Sequence, residues 1–253
     1  MSPLSAGVRR ALVWRSFLVQ GSWNYETLIG TGFAFVLLPA LRYVYRRDPA
    51  ALSAALCRHT ELFNSHPFLA GVAAGAVARL EAERADPEMI GRFKTAVRGS
   101  LGSLGDQVVW MAWRPACALL GLAVLLLGAP LWLGAAAFLL AYNALHVTLR
   151  VWGVRIGLEH GVGVGRVLRQ APLLDAARRA GDVGAFLAGF AAVAALGAGA
   201  GGGGEARGVT PLLWLALVAL PLGYWVGLRS RRVGWLVVSV LWIAGLFYGL
   251  VVG

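Results

Sequence analysis

Read for runs of apolar residues, the chain changes character at about Arg114. Beyond that arginine no charge occurs until Arg150, and charge-free windows follow at 183–204, 208–228 and 233–253. A bilayer crossing needs roughly 20 mainly apolar residues, so each of these windows is long enough to be one. Gly128-Ala129-Pro130 interrupts the first window, which predicts either one kinked helix or a broken pair. Upstream of Arg114 the apolar runs are shorter. Gly7 to Leu18 sets Leu12, Val13, Trp14, Phe17 and Leu18 beside Arg9, Arg10 and Arg15. That pattern fits a helix lying at a membrane interface, or a basic arm packed on another subunit. Thr27 to Leu41 is a short apolar stretch broken by Gly30, Gly32 and Pro39. Asp48-Pro49 reads as an N-cap followed by a first-turn proline, starting a helix that runs to about Leu62. Pro67 disfavours helix at His66, so Phe63 to Phe68 (FNSHPF) is a break. Phe68 to Leu80 then carries Gly71, Ala74 and Gly75, the small residues of close helix contact. A charged linker is expected from Glu81 through Lys94.

The centre of the chain is Val97 to Pro115, VRGSLGSLGDQVVWMAWRP. Gly99, Gly102 and Gly105 stand three apart, Asp106 follows, and an apolar run opens at Val108. This spacing predicts a glycine-rich turn, with backbone at φ > 0 at Gly105. Asp106 reads either as the N-cap of the following helix or as a carboxylate beside a substrate path, because carboxylates at membrane depth rarely lack a role.

Composition turns these windows into a class. The chain is 58% hydrophobic with a mean hydropathy of +0.70, too apolar for a soluble domain of its length. The expected architecture is all-α: a polytopic membrane protein with broken or re-entrant helices. A basic amphipathic arm over 1–26 precedes a membrane-embedded domain over 27–253. Net charge is +11, and Lys94 is the single lysine among the 23 basic residues. The arginines are scattered between apolar spans, which argues against nucleic acid and for a positive-inside pattern with contact to membrane lipid. On that rule the Arg-rich segments 142–182 and 229–232 face the cytoplasm, and the turn at 201–208 and the C-terminus face the other side. The N-terminal stretch lacks the apolar core of a signal peptide. Cys57 and Cys117 lack metal-ligand spacing. No pattern of a catalytic triad, zinc site or phosphate loop occurs, so no catalytic residue, metal or cofactor is expected.

WRSFLVQGSWNYE, FNSHPF, Ala78-Arg79-Leu80-Glu81, GSLGSLGDQVVWMAWRP and YNALHVTLRVWGVRIGLEHG occur here in that order. In this combination they resemble the IID membrane component of the mannose/fructose/sorbose-type sugar phosphotransferase system, from about Arg9 to Val252. The resemblance implies a multi-pass subunit of the bacterial inner membrane that joins a IIC subunit in a hetero-oligomer to move a hexose-type sugar. Soluble IIA and IIB components (IIAB) would carry the phosphoryl chemistry, so the chain itself would be a transporter subunit and not an enzyme. A membrane scaffold or regulatory IID-like subunit that moves no sugar is the alternative. The chain departs from the family at Ser100 and Gly102, where the loop usually reads Gly-Pro-Leu-Ala-Gly, and at Gln107. It also lacks a longer polar insert between Gly204 and Pro211. The candidates for a substrate path or its structural loops are Gln20, Trp23, Asn24, Glu26, Asn64, His66, Glu81, Gly99, Gly102, Gly105 and Asp106. Among them Trp23 suits an interface anchor, and Glu26 and Glu81 suit partners for nearby arginines. Asn64 and His66 either cap their loop or hydrogen-bond sugar hydroxyls.

Overall fold

In the computed structural model, which describes residues 4–199, every regular element is a helix. The windows expected at 208–228 and 233–253, and the turns at 201–208 and 229–232, lie outside the described residues. The first helix, α1 (Ala6–Ser16), is capped by Ser5, whose hydroxyl accepts from the Val8 amide. It lies against α2 (Gly30–Val44), where Arg15 donates to the Phe35 carbonyl at 3.1 Å and covers the Phe35 ring. The helix α3 (Pro49–Thr60) starts where the sequence places it, with Asp48 accepting from the Ala51 amide at 2.9 Å and Pro49 in the first turn.

The hub is α4 (Ala70–Ala82), buried along nearly its whole length. Small residues let it sink against α7 (Leu131–His160) until the two backbones touch. A Cβ added at Gly75 would lie 2.3 Å from the Val154 carbonyl oxygen, and one at Gly157 would lie 2.2 Å from that of Val72. The glycines of Phe68 to Leu80 therefore do what small residues do in close helix pairs.

The segment expected as a charged linker is mostly helix. Asp86 accepts from the Met89 amide at 3.0 Å and Pro87 occupies the first turn, so α5 (Pro87–Gly105) begins with the same Asp-Pro start as α3. A larger correction concerns the glycine stretch. The chain does not turn there. It passes from α5 into a π-helical segment (Asp106–Trp113) and on into α6 (Arg114–Leu126), and Pro87–Leu126 is one helical run of 40 residues. Gly105 has φ −67°, an ordinary helical value, so the expected φ > 0 is wrong. Asp106, with helical backbone inside a continuous helix, is not an N-cap either. Isolated glycines weaken a helix by about 1 kcal/mol relative to alanine without breaking it, and no proline or cap interrupts this stretch before Pro115.

The break comes later, at Gly128 with φ +87° and Pro130, so 115–149 is a broken pair of helices. The helix α7 then runs to His160 and holds Arg150 and Arg155. Arg150 is only 2% exposed. A short 3-10 turn (Gly161–Gly163) leads to α8 (Val164–Gln170) and α9 (Leu173–Gly199), so the window opening at Val183 begins partway along a helix. Among the described residues two stretches are long and apolar enough to cross a membrane, Pro87–Leu126 and Leu131–Ala194, and the most apolar part of the second is only 6% buried. Its apolar surface therefore faces outward from the described residues, and no core among them accounts for its composition.

Candidate functional site

The two irregular stretches that the sequence marks, QGSWNYE and FNSHPF, are stitched to one another. The Phe63 amide donates to the Thr27 carbonyl at 3.1 Å, and the Ile29 amide donates to the Phe63 carbonyl at 3.2 Å. Leu28, at φ +55°, bridges to both Asn24 and Phe63. Asn24 closes the turn. Its Oδ1 accepts from the amides of Glu26 and Thr27 at 3.0 and 2.8 Å, and its Nδ2 donates to the Ser22 carbonyl and the Thr27 hydroxyl. Gln20, Trp23 and Glu26 are exposed around this turn, with the Trp23 ring edge-on to Tyr25 at 4.8 Å. Glu26 makes no ion pair among the described residues.

From Phe63 the chain runs under the π segment. His66 is 2% exposed, and its Nδ1 accepts from the Phe68 amide at 3.2 Å. A neutral ring bonded that way carries its proton on Nε2. That Nε2 and the neighbouring Ser65 Oγ are buried without a hydrogen-bond partner among the described residues. Buried polar atoms of this kind are uncommon and call for an explanation. Gly105 is what lets His66 fit, since a Cβ there would lie 2.2 Å from the His66 Cβ and Cγ. Gly102 faces Ser65 more loosely, at 4.0 Å from its Cα, and Gly99 faces nothing within 4 Å. Trp110, one turn on, has its ring 5.2 Å from that of His66 and is 38% exposed, with the Arg114 guanidinium 4.9 Å above it. Asn64 and Asp106 flank the contact, and both are exposed.

The structure thus brings Asn64, His66, Gly102, Gly105 and Asp106 to one seam, where the break of FNSHPF meets a π segment. Longer i→i+5 bonds loosen such a segment, and π segments are rare and frequent at functional sites. An exposed carboxylate, an exposed amide and an aromatic face can together hydrogen-bond a polyol and cover its C–H face.

Behind the seam lies a cluster that sequence reasoning missed. Phe68 stacks on His146 at 4.1 Å, and the Arg150 Nε donates to His146 Nε2 at 2.5 Å. Arg150 also donates to the Ser16 carbonyl, and its guanidinium lies 5.2 and 5.4 Å from the rings of Phe17 and Phe68. No carboxylate pairs with it among the described residues. It pins α1, α7 and the residue that follows His66-Pro67. The available signal was spacing: Tyr142, His146 and Arg150 recur every four residues and share one helix face.

Glu81 is placed elsewhere, at the far end of α4. It is fully buried and accepts from Tyr45 Oη at 2.5 Å, Arg58 Nη2 at 2.8 Å and His59 Nε2 at 2.7 Å. Burial alone would raise its carboxyl, but the hydrogen bonds from His59, Tyr45 and Arg58 outweigh burial and hold it down at about 2. Burial pushes His59 the other way, below its ordinary value, so the ring is neutral near pH 7 and donates to Glu81. This network ties α2, α3 and α4 together. No group of three metal-ligating side chains occurs among the described residues.

Comparison with known proteins follows the same outline. Residues 3–198 match the family described as the PTS system mannose/fructose/sorbose family IID component. The mannose-specific EIID component of Escherichia coli (strain K12) is 34% identical over 160 residues, covering 61% of this chain and 56% of that one. The sorbose-specific EIID component of Lacticaseibacillus casei is 33% identical over 150 residues, covering 57% of this chain and 52% of that one. The chain thus spans little more than half the length of these curated relatives. Among solved structures, one chain of the complex of mannose transporter ManYZ and microcin E492 (MceA) superposes with a TM-score of 0.60 at 26% identity, over 99% of this chain and 98% of that one.

Proposed function

The chain belongs to the mannose/fructose/sorbose-family IID components of the sugar phosphotransferase system, and we propose on that premise that it is a multi-pass inner-membrane subunit that translocates a hexose-type sugar together with a IIC subunit. Soluble IIA and IIB components then supply and transfer the phosphoryl group, and this chain contributes binding and passage only. Its named relatives are transporter components. The reading of a partner fits a surface on which Trp14, Leu18, Trp23 and Tyr25 are all exposed at the arm and first turn, available to lipid or to a second membrane chain.

The observation that carries the site is the His66–Gly105 contact. It locks the FNSHPF break against the π segment and leaves Asn64, Asp106 and Trp110 facing outward beside it. In the proposed path Asp106 accepts hydrogen bonds from sugar hydroxyls, Asn64 both donates and accepts, and Trp110 offers a ring to the apolar face of the pyranose. Ser65 and His66 back this surface with buried polar atoms. Asn24 and the backbone bridges at Leu28 hold the second loop in register with the first.

The test is uptake of labelled hexose by cells carrying Asp106→Asn or Asn64→Ala, with membrane levels measured in parallel. A hydrogen bond to a charged group contributes about 1.5–3 kcal/mol, so Asp106→Asn is expected to cut uptake by roughly tenfold or more at normal membrane levels. Wild-type uptake in both variants would refute the site.

A further inference from the structure

We propose that the cleft between α6, α7 and α9 is a binding site for an anionic phospholipid, with an acyl chain in the cleft and the phosphate at Arg179. The inference rests on the membrane reading of these helices and is independent of transport. The cleft has a volume of about 490 Å³, within the range of small-molecule sites. Trp113, Cys117 and Leu120 form one wall, and Val183 and Leu187 of α9 form the other. Among the described residues Asp175 and Arg179 are the only charged ones that line it.

Chemistry along α9 has a direction. Asp175, Arg179, Val183 and Leu187 recur every four residues and so share one face. That face passes from ionic to apolar over three turns, the same order as a headgroup followed by its chain. The charge at the headgroup end is uncompensated. Asp175 is held by Arg178, which leaves Arg179 without an ion pair among the described residues. Surface cations of this kind attract anionic headgroups. A free sugar would meet an apolar wall in this cleft, and a zwitterionic phosphocholine headgroup would bring a cation of its own beside Arg179.

The experiment is native mass spectrometry of the full chain, in the membrane assembly with which it purifies, titrated with phosphatidylglycerol and phosphatidylcholine of matched chains. Phosphatidylglycerol is expected to be retained in excess. Arg179→Gln should reduce that excess about fivefold, the loss of one lipid-facing cation. Ala176→Phe, at an exposed position on the cleft rim, should lower retention of both lipids. Equal retention of the two lipids by the wild type, or unchanged retention in both variants, would overturn the proposal. So would a disulfide from Leu215→Cys to Cys117 in a Cys57→Ser background, because the chain's own apolar window would then fill the cleft. Uptake is not read in this experiment, so a failure of the Asp106 test leaves its result intact.

Discussion

The three glycines of GSLGSLG look equivalent in sequence, yet alanine at each has a different expected effect. All three are helical, so alanine should recover up to about 1 kcal/mol of helix propensity wherever there is room for it. Gly99 is exposed with nothing within 4 Å of the added Cβ, and Gly102 meets only Ser65 Cα at 4.0 Å. Gly99→Ala should therefore stabilise by about 0.5–1 kcal/mol. Gly105 is the exception, because its Cβ would lie 2.2 Å from two His66 ring-side carbons and 2.8 Å from Nδ1. Carbon atoms pack at about 3.5–4.0 Å, so His66 must retreat by more than an ångström. It has little room, being 2% exposed, bonded to the Phe68 amide and flanked by the rings of Phe68 and Trp110. Overpacking of this kind costs about 1–3 kcal/mol, and loss of the Phe68 hydrogen bond costs about 1 kcal/mol more. Against the propensity gain, Gly105→Ala should lose about 2 kcal/mol net. The assay is thermal unfolding of the purified assembly in detergent, with the variants compared side by side. Gly105→Ala melting at or above the wild type, or Gly99→Ala melting as low as Gly105→Ala, would refute the argument that close approach to His66 selects glycine here.

The Glu81 network makes a second prediction. Glu81→Gln keeps the shape but leaves Arg58 without its carboxylate, which should cost about 3 kcal/mol and lower the melting temperature. The same group sets a pH dependence: its carboxyl lies at about 2 in the fold against an ordinary 4.5. Its stabilisation is therefore complete above that ordinary value and is lost as pH falls towards 2. Melting temperatures across this range should fall more steeply in the wild type than in Glu81→Gln, and parallel curves would count against the network. A third prediction concerns the hub. Gly157→Ala sets a Cβ 2.2 Å from the Val72 carbonyl oxygen and 2.6 Å from the Ala76 amide, and should cost about 1–3 kcal/mol as α4 and α7 are forced apart. Gly181→Ala, with nothing within 4 Å, is the control, and size-exclusion profiles of the two variants should differ accordingly.

Much of the frame was legible in the amino-acid sequence because it depends on local chemistry. Asp48 followed by Pro49 starts a helix since a carboxylate caps amides three residues on and proline suits the first turn. His66-Pro67 keeps the chain out of a helix just before α4 for the converse steric reason. Gly71 and Gly75 announced a close helix pair, and the apolar stretches on either side of Gly128-Ala129-Pro130 announced long helix with either a kink or a break there, of which the structure has the break. Tertiary structure decided what local chemistry leaves degenerate. A glycine run is compatible with a turn or with a helix. Here it is helix, and one of its three glycines is reserved for the ring of a histidine almost forty residues upstream. Arg150 reads as one more arginine of the segment 142–182 until the fold buries it between Phe17 and Phe68. Glu81 reads as a partner for a nearby arginine, and Arg58 is one, but only the fold brings Tyr45 and His59 to the same carboxylate. Each of these outcomes depends on groups far apart in the chain. Short-range preferences worth a few tenths to one kcal/mol yield there to packing and to the pairing of buried charge.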